Sequence, residues 1–100
     1  MSRSRISIPQ AKITDFCRRN QVKSLALFGS VLRADFRSDS DVDILVEFQP
    51  EARIGFMAMS RMQRELTELL HRPVDLVPKD GLKPLIREAV LADTEVVYAG

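Results

Sequence analysis

The apolar residues of this chain fall into short stretches whose period switches between helix-like and strand-like, and those switches set out an ordered series of elements. From Pro9 to Asn20, Ala11, Ile13, Phe16 and Cys17 recur at helical spacing, with Pro9 suited to a first turn and Asn20 to a stop. Lys23 to Phe28 is an apolar run too short for a stable helix and is cut off by Gly29 and Ser30, which predicts a buried strand entering a tight turn. Val31 to Ala34 has room for about one helical turn, and the charged stretch from Asp35 to Ser40 reads as loop. Across Val42 to Phe48, strict alternation puts Val42, Ile44, Val46 and Phe48 on one face and Asp41, Asp43, Leu45 and Glu47 on the other.

From Ile54 to His71, the residues Ile54, Met57, Met62, Leu66, Leu69 and Leu70 mark a long amphipathic helix covering one face of a sheet, with Phe56 and Met59 off the stripe. Pro73 to Val77 reads as a third strand. Lys83 to Ala92 is helix-like through Leu85, Ile86, Ala89 and Val90, and Glu95 to Tyr98 makes a last strand. The order α, β, short α, β, α, β, α, β implies an α/β or α+β architecture, a small mixed sheet flanked by helices.

Composition narrows this picture. A chain of 100 residues, 45% of them hydrophobic, supports one core and predicts a single domain over 1–100. A formal charge of +1 argues against the broad electropositive surface of a dedicated nucleic-acid binder, so any phosphate binding must be local. The lone Cys17 cannot form an internal disulfide and reads as a small core residue, and no Cys/His spacing suggests structural zinc. His71 reads as a helix end. No signal-peptide pattern follows Arg3 and Arg5, and no apolar run approaches the ~20 residues of a membrane span, so a soluble, cytoplasmic protein is expected.

The candidate chemistry lies between Phe28 and Val46. Gly29 lets backbone approach a phosphate closely, and Ser30 at the head of a short helix adds a hydroxyl and exposed N–H groups where the helix dipole favours an anion. Asp41 and Asp43, two residues apart on a strand, direct their carboxylates to one side within reach of shared hard cations. Without such a counterion, repulsion and desolvation would raise at least one pKa and cost stability. Asp75, conspicuous in an apolar strand, completes the cluster if its strand pairs with that of Asp43. Oxygen ligands suit Mg²⁺ or Mn²⁺, and the near absence of histidine agrees.

These motifs admit other readings. Asp39, Asp41 and Asp43 imitate the opening of a calcium-binding EF-hand loop, but Ile44 and Pro50 stand where that loop needs Gly and Glu. The Gly29-Ser30 turn lacks the Gly-Lys-Ser/Thr of a Walker loop. A solvated acidic turn capping a strand is the bland alternative for the aspartates.

Taken together, Gly29, Ser30, Arg33, Ser40, Asp41, Asp43 with Ile44 and Leu45, and later Asp75 in the Val74 to Val77 strand resemble the nucleotidyltransferase superfamily that includes DNA polymerase β, and within it the minimal nucleotidyltransferase (MNT) family. The chain departs from that pattern at Ala34, where many relatives carry Gly. The resemblance implies a polymerase β-like fold in which Asp41, Asp43 and Asp75 hold metal ions, with Asp75 nearest the attacking hydroxyl. It also implies that Gly29, Ser30, Arg33 and Ser40 contact the nucleotide, ATP as substrate and Mg²⁺ or Mn²⁺ as cofactor. MNT proteins commonly pair with a HEPN-family toxin and adenylylate it on a hydroxyl, typically tyrosine, so the resemblance implies an antitoxin. Alternatives are a non-catalytic module that neutralises a partner by occlusion, and a small-molecule (antibiotic-type) nucleotidyltransferase, for which an oligomer would have to build the missing pocket.

Overall fold

The structure, a computed structural model, describes residues 8–29 and 41–100. The described residues form α1 (Gln10–Arg19), β1 (Val22–Phe28), β2 (Val42–Phe48), α2 (Phe56–Leu70), β3 (Val74–Pro78), a 3-10 turn (Lys79–Gly81), α3 (Pro84–Ala92) and β4 (Thr94–Ala99). The helical turn expected at Val31 to Ala34 lies outside the described residues. The 3-10 turn was not anticipated, and helix and strand ends otherwise fall within about two residues of expectation, the usual uncertainty of fraying ends.

The strands form one mixed sheet in the order β3-β2-β1-β4. β1 runs antiparallel to both β2 and β4, whereas β2 and β3 are parallel. A parallel pair needs a crossover too long for a hairpin, and α2 provides it. α1 ends at Asn20, whose backbone N–H and side-chain Nδ2 both donate to Phe16 O, at 3.2 and 2.8 Å. Gln21 then takes a left-handed φ of 58° and turns the chain into β1.

The core lies on the face of the sheet covered by α1 and α2. Ile13, Phe16 and Cys17 from α1 and Met62, Leu66 and Leu70 from α2 close over Val22, Leu25, Leu27, Val42, Ile44, Val46, Val74 and Leu76. An irregularity in the β1–β2 register between Val22 and Ser24 lets Val22 share that face with Leu25 and Leu27 despite the odd spacing. Ala11 and Met57 do not join the core: Ala11 is exposed, and Met57 is 80% exposed. Five residues separate Met57 from Met62, which puts Met57 about 140° around a helix of 100° per residue, whereas Ala58 and Met59 fall in phase and pack partly against the core.

Side chains complete the outer strands. The N–H groups of Val74 and Leu76 in β3 donate to Thr67 Oγ1 at 3.2 Å and Gln63 Oε1 at 3.0 Å, both on α2. At the other side of the sheet Gln10 Nε2 donates to the Val97 carbonyl at 2.7 Å. Among the described residues no helix is long and apolar enough to cross a membrane.

Cys17 sits in the core, and burial pushes its thiol from the ordinary 9.0 up to about 12. The folded state therefore holds its proton where the unfolded chain would release it. The associated stabilisation is complete below the ordinary thiol pKa and is lost as pH rises towards the folded value. A thiol reagent at about pH 8 should leave the native protein unlabelled and react fully in denaturant. Urea midpoints should also fall between about pH 8 and about pH 10; rapid native labelling would contradict the burial.

Candidate active site

The face of the sheet opposite α1 and α2 carries the candidate chemistry, because strand alternation sends the intervening residues there. One cross-strand row reads Asp75, Asp43, Phe28, Thr94, from β3 through β2 and β1 to β4. The next row is apolar: Val77, Leu45, Ala26, Val96. Leu45, on the carboxylate side as alternation requires, is nonetheless buried, as is Ala26.

Asp43 and Asp75 are register partners in the parallel pair. Neighbouring strands are about 4.8 Å apart, so two in-register side chains on one face are direct neighbours. The strand pairing on which Asp75 depends is thus present. Asp41 is exposed and stands immediately before β2, whose entry is fixed to that of β3 by a hydrogen bond from Val42 N–H to Pro73 O at 2.8 Å. Ser30, Arg33 and Ser40 lie outside the described residues.

Gly29 follows β1 with φ of 78°, a left-handed conformation that favours glycine. A Cβ added there would overlap the Asp43 carboxylate at Oδ2. The Asp43 side chain therefore lies against the Gly29 backbone. Among the described residues, no three carboxylate, imidazole or thiol side chains stand close enough together to hold a metal ion. Gly29→Ala should combine backbone strain of about 1–3 kcal/mol with displacement of Asp43. A fall in thermal midpoint is the expected result, and a variant matching wild type would refute this account.

Gly29 and Asp43 open onto a cleft of about 450 Å³ whose other lining residues are Phe28 and, from α3, Ile86, Ala89, Val90 and Asp93. Sequence reasoning placed α3 but did not connect it with the site. Its sequence signal is the helical spacing of Ile86, Ala89 and Val90, none of which the structure buries. A second cleft of about 440 Å³ lies towards the other end of β2, where Lys79 pairs with Glu47 at 3.6 Å. Among the described residues, none of the expected site residues lines it.

Comparison with known proteins gives consistent matches. Residues 11–97 match the family model described as a nucleotidyltransferase domain. Protein adenylyltransferase MntA of Thermococcus cleftensis is 39% identical over 92 residues, which cover 92% of this chain and 89% of that protein. A solved structure described as a minimal nucleotidyltransferase superposes with a TM-score of 0.70 at 34% identity, covering 85% of each chain. The fold also matches a chain from the complex of tri-AMPylated Shewanella oneidensis HEPN toxin with MNT antitoxin, with a TM-score of 0.66 at 22% identity, covering 91% of this chain and 70% of that one.

Proposed function

The chain belongs to the nucleotidyltransferase family, and on that premise we propose that it is an antitoxin that transfers AMP from ATP to a hydroxyl, typically of tyrosine, on a HEPN-type partner in the cytoplasm. The observation that carries the reading is the in-register pair Asp43 and Asp75 beside the glycine turn at Gly29. The relatives add support, one named a protein adenylyltransferase and one an MNT antitoxin in complex with an AMPylated HEPN toxin.

Asp41, Asp43 and Asp75 supply only hard oxygen donors, which fits Mg²⁺ or Mn²⁺. Such a metal, when bound, neutralises phosphate charge and lowers the barrier at the α-phosphorus. Gly29, with Ser30, Arg33 and Ser40, holds the triphosphate. Asp75 orients the acceptor hydroxyl and assists its deprotonation. The hydroxyl oxygen bonds to the α-phosphorus, the bond from that phosphorus to the bridging α–β oxygen breaks, and pyrophosphate leaves with that electron pair. The whole chain acts as one catalytic domain, and the partner brings the acceptor.

The test is transfer of label to the co-expressed partner from ATP carrying it at the α-phosphate. Label should reach a tyrosine of the partner, should not appear when ATP is labelled at the γ-phosphate, and should stop with EDTA. Absence of α-label on the partner would refute the reading.

A second reading is a non-catalytic module that neutralises its partner by occlusion. It requires that an Asp43→Asn chain still neutralise the partner fully.

A further inference from the structure

A helix that is apolar on nearly every side is normally buried, and α3 is not. Six of its nine residues are apolar, Leu85, Ile86, Ala89, Val90, Leu91 and Ala92, and none of them is buried. Ile86, Ala89 and Val90 line the cleft described above. Leu85, Leu91 and Ala92 are turned from that stripe by roughly 90–150° around the helix, so the cleft does not account for them. Leu85 is 97% exposed and Leu91 37%. Val96 of β4, 61% exposed, adds to the apolar surface on the same face of the sheet. With Ile86 these make four of the six large apolar residues left exposed among the described residues, so the exposure is concentrated in one segment.

We propose that Leu85 and Leu91, extended by Val96, form the surface on which the hydroxyl-bearing protein partner docks, with Lys83 and Arg87 meeting acidic side chains of that partner. This rests on the function proposed above. Apolar side chains scattered singly over a surface need no partner, whereas a cluster of them marks an interaction site. Placement selects the occupant. The row Asp75, Asp43, Phe28, Thr94 lies on the face of the sheet that α3 stands against, and Thr94 follows the end of α3 by two residues. A protein that offers its hydroxyl to Asp75 has to approach this face, and a second copy seated on α3 would stand in its way. Lys83 and Arg87, both exposed and about one turn apart, set two cations beside the apolar surface. Such charges steer and orient an acidic partner more than they add affinity.

The experiment is steady-state AMP transfer from the full chain to the co-expressed HEPN-type partner, with the Kd of the complex and the affinity for ATP with Mg²⁺ measured on the same samples. Leu85→Asp and Leu91→Asp should each raise both the KM for the partner and the Kd by about tenfold or more, while kcat and ATP affinity stay within about twofold. Retained ATP affinity also reports that the variants are folded. Lys83→Glu combined with Arg87→Glu should slow association and remove most of its salt dependence. Met57→Asp, at an exposed apolar residue of α2 behind the sheet, should change none of these.

A Kd within about threefold of wild type in both leucine variants would overturn the proposal, as would an equal loss in Met57→Asp or a fall in kcat with KM unchanged. An unchanged salt dependence in the double variant would overturn the role given to Lys83 and Arg87. A wild-type dimer in sedimentation that Leu85→Asp dissociates without weakening the partner complex would give the surface to a second copy and overturn the proposal too. A partner that binds through these leucines yet receives no AMP sinks the proposed reaction and leaves the surface standing. AMP transfer indifferent to them does the reverse.

Discussion

Asp43→Asn is expected to lower AMP transfer by roughly a thousandfold, the scale seen when one preorganised electrostatic partner of a transition state is removed. Asp43 occupies the middle of the polar row, flanked by Asp75 on β3 and Phe28 on β1, and its carboxylate also covers Gly29. Asparagine keeps the size and part of the hydrogen bonding but removes the charge that a hard cation requires, so the fold should survive while metal-dependent nucleotide binding fails. The measurement is turnover with α-labelled ATP, with Mg²⁺ affinity and a urea midpoint taken on the same sample. Turnover within about tenfold of wild type would show that Asp43 does not serve the reaction in this way.

Phe16→Ala is expected to cost about 3–5 kcal/mol, the range for deleting a fully buried aromatic side chain. Phe16 has no exposed surface and is the largest of the fully buried side chains among the described residues, so its loss leaves a void that neighbouring residues fill only in part. A domain of this size has roughly 5–15 kcal/mol of stability to lose, and a large share would go. Urea unfolding followed by circular dichroism measures it; a change below about 1 kcal/mol would mean that α1 is not integral to the core.

These two residues were legible in the sequence for different reasons. Phe16 sits in a clean helical period with Ile13 and Cys17, and periodicity reports a buried face well when the helix has one partner surface. Asp43 was legible because alternation over Val42 to Phe48 has one solution, and the observed strand has those bounds. Asp75 depended on which strands pair, a long-range fact that local spacing cannot encode; the parallel β2–β3 register provides it.

Met57 looks like part of the α2 stripe by hydrophobicity alone, but five residues from Met62 it lies about 140° around the helix. The cleft is not legible in the sequence for a related reason. Ile86, Ala89 and Val90 look like core residues in sequence, and only the placement of α3 separates an apolar face that is buried from one that is left open.

The hydrogen bonds from β3 to Thr67 and Gln63 matter beyond completing an outer strand. They engage the N–H groups of Val74 and Leu76, the two residues bracketing Asp75. A slip of β3 by one residue along β2 would swing Asp75 into the hydrophobic interior and push Leu76 out, and it would break both bonds as well. Gln63 and Thr67 thus work as a register lock mounted on α2, behind the sheet. The alignment of the two carboxylates in front is set by a pair of uncharged side chains that never meet them.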